Sequence, residues 1–201
     1  MAFRLVLITP PEPATPRELD VAQQLLGSGK LQTLHLRKPG SSREQVAQYL
    51  AALSRDARSK VVLHSHHDLS KSTSIGGVHF READRPPGVI KAPAGLSVST
   101  SFHVLPDLSV CRGDLDYCFL SPIYSSISKP GYEAAFQHSE LEAALAGARH
   151  PVLALGGVTA DKFGELAGLG FAGAALLGAV WGAGDTLAAW QEAAERAEGL
   201  G

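Results

Sequence analysis

The sequence predicts an α/β fold, a single compact (β/α)8 TIM barrel that takes in residues 1–201 as one domain. Three observations carry that expectation. Eight short, β-rich apolar runs follow one another along the chain. Stretches that open with helix-start residues separate them. No composition break, repeat or low-complexity run marks a linker. Strands alternating with helices make a parallel sheet, and eight is the number that closes this barrel. A doubly wound open sheet is the rival architecture.

The elements follow in order. Phe3-Arg4-Leu5-Val6-Leu7-Ile8 is the first strand. Thr15-Pro16-Arg17-Glu18 is a capping box with Pro at the first helical position, and it opens a helix to about Leu26. Gln32 to Arg37 is strand two. Ser42-Arg43-Glu44-Gln45 caps a second helix, with Val46, Leu50 and Leu53 as its apolar stripe. Val61 to His64, Gly77 to Phe80, Leu96 to Ser99 and Tyr117 to Leu120 are strands three to six. Ser139-Glu140-Leu141-Glu142 caps a helix to about Leu145. Val152 to Leu155 is strand seven, and Thr159 opens a helix to about Leu166. Phe171 to Leu177 holds strand eight, and Asp185 caps a closing helix containing Leu187, Trp190 and Ala194.

Composition excludes several function classes. The formal net charge of -2 gives no basic surplus for nucleic acid. Leu166 to Gly184 is uncharged and long enough to span a bilayer, but six of its residues are Gly. A helix end, a buried strand and a glycine loop account for it better than a membrane span. Cys111 and Cys118 cannot build a disulfide framework, so a reducing, cytoplasmic setting is expected. Met1-Ala2-Phe3-Arg4-Leu5 lacks the layout of a signal peptide.

In a barrel, chemistry sits where strands end at the C-terminal face. Strand two ends in His35, Arg37 and Lys38, and strand three in His64-Ser65-His66-His67-Asp68. Arg81, Glu82 and Asp84 follow strand four, and Ser99, Ser101 and His103 follow strand five. A hydroxyl-rich loop from Ser121 through Ser126 and Ser128 to Lys129 follows strand six. Gly156-Gly157 and Gly178 follow strands seven and eight, where barrels often bind phosphate. Glycines there let backbone N–H groups approach an anion near a helix start. Tight turns alone would also explain them. Lys129 with its hydroxyl neighbours suits phosphate or pyrophosphate. Asp84 and Glu82 suit Mg²⁺ if phosphate supplies further oxygens. The His64, His66 and His67 group has no matching Cys or His set at fingerprint spacing, so a dedicated zinc site is not expected.

Taken together, His35-Leu36-Arg37-Lys38, Gly77-Val78-His79-Phe80 with Asp84, Ser101-Phe102-His103, Ser121-Pro122-Ile123-Tyr124 with Ser128-Lys129, and Ala154-Leu155-Gly156-Gly157-Val158 resemble a known family. The chain is similar to the thiamine phosphate synthases and their relatives, the TenI-like thiazole tautomerases, over nearly its whole length. The resemblance implies a barrel that joins HMP diphosphate to thiazole phosphate with Mg²⁺, giving thiamine phosphate and pyrophosphate. It also implies small phosphorylated heterocycles as partners, and a homodimer. By position, Arg37 and Lys38 would meet phosphate, Asp84 would ligate Mg²⁺, and Ser101 would touch the pyrimidine or diphosphate. Ser126, Ser128 and Lys129 would grip phosphate, while Gly156, Gly157 and Gly178 would seat the thiazole phosphate. The family usually reads Gln-Leu-Arg-Glu-Lys on strand two and Asn-Asp after strand three. Here those places read His35-Leu36-Arg37-Lys38-Pro39 and His64-Ser65. His35 and His103 are candidate proton shuttles. They make a thiazole tautomerase the second reading, and a non-catalytic binder of thiazole or thiamine phosphates is the third.

Overall fold

The computed structural model describes residues 2–86, 88–91, 94–125 and 136–200. Eight parallel strands close a barrel in sequence order. They are β1 (Arg4–Ile8), β2 (Leu34–Leu36), β3 (Val61–Leu63), β4 (Gly77–Phe80), β5 (Ser97–Phe102), β6 (Tyr117–Leu120), β7 (Val152–Ala154) and β8 (Gly173–Leu176). Closure is between β1 and β8, with Arg4 opposite Gly173 and Leu7 opposite Leu176. The open-sheet alternative is therefore excluded.

The connecting helices are α1 (Pro16–Gly27), α2 (Arg43–Ala52), α3 (Arg55–Arg58), α4 (Asp107–Val110), α5 (His138–Ala146), α6 (Phe163–Leu169), α7 (Gly178–Trp181) and α8 (Thr186–Glu198). Their caps follow local chemistry. The Thr15 hydroxyl accepts from the Glu18 N–H at 3.1 Å, and Ser42 and Gln45 form a reciprocal capping box. The Asp185 carboxylate accepts from the N–H groups of Leu187 and Ala188. Each cap satisfies donors that a helix start leaves unpaired.

The core has two layers. Outside the barrel, helix residues such as Leu26, Leu50, Phe163 and Trp190 pack on outward strand residues such as Leu7, Leu34 and Leu63. Inside it, Val6, Ile8, Tyr117, Phe119, Leu153 and Ala175 form a smaller cluster. Alternation along each strand sorts side chains between the layers.

Boundaries depart from the sequence expectation at α5, β5 and α7, among others. The α5 box is built by Gln137 and Glu140, with the Glu140 carboxylate accepting from the Gln137 N–H at 3.0 Å, so the helix begins before Ser139. Strand β5 runs on to Phe102. Its polar Ser99 and Ser101 stay in the sheet because they pair with a histidine of β4 rather than with solvent. Gly178 opens the short helix α7 rather than a loop. Among the described residues, no helix is long and apolar enough to cross a membrane.

Candidate functional site

A cleft of about 350 Å³ opens at the C-terminal mouth of the barrel. Its wall carries Arg37, Arg81, Glu82, Ser101, His103 and Gly156, and Phe119, Leu155 and Leu177 add apolar surface. His64 and His79 also line it. One polar rim and one apolar face suit a small, charged heterocycle.

The elements hold these groups in place. The Thr9 hydroxyl at the end of β1 accepts from the Arg37 N–H at 3.0 Å, which ties the guanidinium-bearing loop to its neighbour. Arg81 opens the turn Glu82–Asp84, and its Nε pairs with the Asp84 carboxylate. His103 Nδ1–H donates to the Ser121 carbonyl at 2.9 Å. Its Nε2 lies 3.9 Å from Glu82 Oε2, on the cleft side. The Ser101 hydroxyl stands 2.9 Å from His79 Nε2.

Beneath the cleft lie three buried imidazoles. His35 Nδ1 is 2.8 Å from His64 Nε2, and His35 Nε2 meets the Tyr117 hydroxyl. His79 Nδ1 is 2.8 Å from Ser99 Oγ. His64 and His79 stack with centroids 4.2 Å apart. Burial holds the pKa of His35 and His64 well below 6.5, and neighbouring histidines push in the same direction. Burial lowers His79 to about 3, with His67 adding to the effect. All three rings are therefore neutral near pH 7. Arg4 stacks on Tyr117 at 4.1 Å, below this layer.

The glycines at the mouth answer a steric demand. Gly156 and Gly157 have φ of +93° and +65°. A Cβ on Gly157 would lie 2.5 Å from the Ser125 carbonyl oxygen. Among the described residues, no backbone or side-chain acceptor meets the N–H of either glycine.

The structure thus brings Arg37, Ser101, His103 and Gly156 together in the cleft, with Gly157 next in the chain. It places Lys38, His35, Asp84 and Gly178 outside that lining. Lys38 turns away into a buried ion pair with Glu18 at 2.6 Å, because its ammonium also finds the carbonyls of Pro10 and Glu12 there. His35 is fully enclosed inside the barrel, since it occupies an inward position of β2 rather than the strand end. Asp84 stands beside the cleft, not in its lining, while Glu82 on the same turn reaches it. Ser126, Ser128 and Lys129 lie outside the described residues. Arg81 and Ser121, which the sequence already places at strand ends, join the lining, as do the apolar Phe119, Leu155 and Leu177, which only the fold singles out.

Magnesium takes oxygen ligands and is often held by one or two carboxylates plus substrate phosphates. Glu82 and Asp84 fit that donor set in kind, although an ion at Asp84 competes with the Arg81 guanidinium.

A family model described as thiamine monophosphate synthase matches residues 5–180. A thiamine-phosphate synthase of Parasynechococcus marenigrum is 31% identical over 184 residues, which cover 89% of this chain and 52% of that protein. The chain therefore spans about half the length of that relative. One from Chlorobium luteolum is 27% identical, with 81% of this chain and 79% of the relative covered. The crystal structure of thiamine phosphate pyrophosphorylase from Bacteroides thetaiotaomicron is similar with a TM-score of 0.73 at 25% identity, over 98% of this chain and 95% of that one. A Pyrococcus furiosus thiamine phosphate pyrophosphorylase shares the fold with a TM-score of 0.76 at 18% identity, over 98% and 96%. With a match that covers β1 to α7, this chain belongs to the thiamine monophosphate synthase family.

Proposed function

We propose that the protein is a thiamine phosphate synthase-like transferase that joins a pyrimidine diphosphate to a thiazole phosphate. The observation that carries this reading is the meeting of two guanidiniums, Arg37 and Arg81, in one cleft at the barrel mouth. Guanidinium groups are suited to phosphate oxygens. The Gly156-Gly157 amides offer a second, uncharged anion contact.

In this reaction the bond from the pyrimidine methylene carbon to the diphosphate oxygen breaks, and its electron pair leaves with pyrophosphate. The thiazole nitrogen lone pair forms the new C–N bond. Arg37 and Arg81 stabilise the charge gathering on the leaving group, and the cleft holds the two rings in line. Phe119 and Leu155 exclude water from the reacting carbon. Ser101 orients the pyrimidine through its hydroxyl. Lys129, Ser126 and Ser128 keep the phosphate-gripping role that the resemblance implies. Gly178 at the start of α7 completes the thiazole phosphate seat. Asp84 and Glu82 would hold a magnesium ion, which supplies charge neutralisation to the departing pyrophosphate when bound. A homodimer and a cytoplasmic setting belong to the same reading.

The test is direct. The purified protein is mixed with HMP diphosphate, thiazole phosphate and Mg²⁺, and thiamine phosphate is followed by fluorescence after oxidation. Multiple turnovers are expected. No product above the uncatalysed background removes the synthase reading.

One observation favours a second reading, a thiazole tautomerase. His103 holds one nitrogen on the Ser121 carbonyl and leaves the other on the cleft side, as a proton shuttle requires. That reading expects isomerisation of a thiazole carboxylate phosphate in EDTA, lost in His103→Asn. Tight binding of thiazole phosphate with neither reaction would identify a non-catalytic binder.

A further inference from the structure

The strongest feature that the proposed transfer leaves unused is the layer of three histidines under the cleft. His35, His64 and His79 come from β2, the end of β3 and β4. Each offers a ring nitrogen, and the three nitrogens lie within 4.8 Å of one another. From this geometry we propose that His35, His64 and His79 form a binding site for one divalent transition-metal ion of the zinc class, with an open coordination position facing the cleft.

The donor chemistry selects the metal. Imidazole nitrogen suits zinc, cobalt, nickel and copper, whereas magnesium takes oxygen. The site is thus distinct in kind from the carboxylates of Glu82 and Asp84. Binding needs neutral rings, and burial keeps these neutral near pH 7.

The surroundings supply the outer contact that a ligating histidine requires for two of the three rings. A metal-bound imidazole usually donates its second N–H to a fixed acceptor. For His35 that acceptor is the Tyr117 hydroxyl. For His79 it is a serine hydroxyl whichever nitrogen binds, because Ser99 and Ser101 meet the two sides of the ring. Binding through the close His35–His64 pair moves a proton within the imidazoles and changes no charge. His64 Nδ1 is buried, and it is the one ring nitrogen of the three histidines without a hydrogen-bond partner among the described residues.

Three neutral ligands leave the ion its full double charge, the arrangement of catalytic rather than structural zinc sites. His64 and His79 line the cleft, so the remaining position faces the space that, on the proposed function, takes an anionic substrate. Among the described residues, no carboxylate joins the cluster. The counter-charge therefore comes from the cleft side, as hydroxide or a phosphate oxygen.

Cobalt(II) alone, added to the full chain after chelator treatment, tests the site without any substrate. One equivalent is expected to bind with the intense visible bands of four-coordinate cobalt, and zinc should displace it. His64→Gln and His79→Gln should weaken binding at least about 100-fold, and Tyr117→Phe about 10- to 100-fold. The double variant His66→Gln/His67→Gln should bind as the parent does. Nitrogen-15 spectra of the imidazoles read the parent protein itself and cover the case of a misfolded variant. Zinc is expected to shift the rings of His35, His64 and His79. Absence of stoichiometric binding overturns the proposal. So does unchanged binding in folded His64 and His79 variants, or a zinc response confined to other histidines. Synthase activity can be present or absent in any of these outcomes.

Discussion

Lys38 Nζ lies 2.6 Å from Glu18 Oε2, and the two side chains are only 2% and 7% exposed. The pair joins the loop after β2 to α1, behind the cleft wall. Burial raises the Glu18 pKa above 4.5, and the Lys38 hydrogen bond and charge oppose that rise. Removing one partner of a buried pair leaves an uncompensated charge and costs about 3–5 kcal/mol. Lys38→Met is therefore expected to lower the melting temperature strongly while KM for phosphorylated substrate changes little below the transition. A large KM effect with unchanged stability would show instead that Lys38 serves substrate.

Stability should fall on mild acidification. The folded pKa values of His35, His64 and His79 all lie below the ordinary 6.5. Between the two values the unfolded chain binds more protons than the folded one, so stability rises with pH. The contribution is complete above about 6.5 and is lost as pH falls toward the folded values, about 3 for His79. Each ring contributes up to about 1.4 kcal/mol per pH unit in that window. Glu18 works in the opposite sense, because its raised pKa favours the protonated folded state at low pH. Urea unfolding from pH 7.5 to 4.5 checks the balance. His79→Gln should flatten the slope, and a pH-independent midpoint in the parent would contradict this account.

Loss of one cleft guanidinium should appear in binding rather than in stability. A hydrogen bond to a charged group is worth about 1.5–3 kcal/mol, or roughly a 10- to 100-fold change in affinity. Arg37→Met and Arg81→Met should each raise the dissociation constant for inorganic pyrophosphate by that factor. Calorimetry at low and high salt reads it, and the parent should show the steeper salt dependence.

Gly157→Ala tests the mouth of the barrel. A left-handed φ costs a residue with a Cβ about 1–2 kcal/mol, and here the added atom would also meet the Ser125 carbonyl oxygen at 2.5 Å. The loop must shift to admit it. Lower thermal stability and weaker thiazole phosphate binding are expected together. An alanine variant with parental melting temperature and affinity would show that this turn does not shape the site.

Local chemistry by itself determined the alternation of strands and helices. Thr15, Ser42 and Asp185 name their helix starts because a cap depends on residues only a few positions apart. Apolar runs such as Val61-Val62-Leu63 name their strands because both faces of a barrel strand are buried. The same reading reached Arg37, Ser101, His103 and Gly156, since a strand end in such a barrel always faces the mouth. Tertiary structure alone decided the direction of each side chain. Lys38 sits one residue from Arg37, yet it faces Glu18 across the buried pair while Arg37 faces the cleft. His64 and His66 are two residues apart, yet His64 joins His35 and His79 while His66 Nε2 meets the Ser41 carbonyl. The barrel brings His35 to neighbouring inward places beside His79, 44 positions away, and Tyr117, 82 positions away, and spacing along one segment carries no trace of such a meeting.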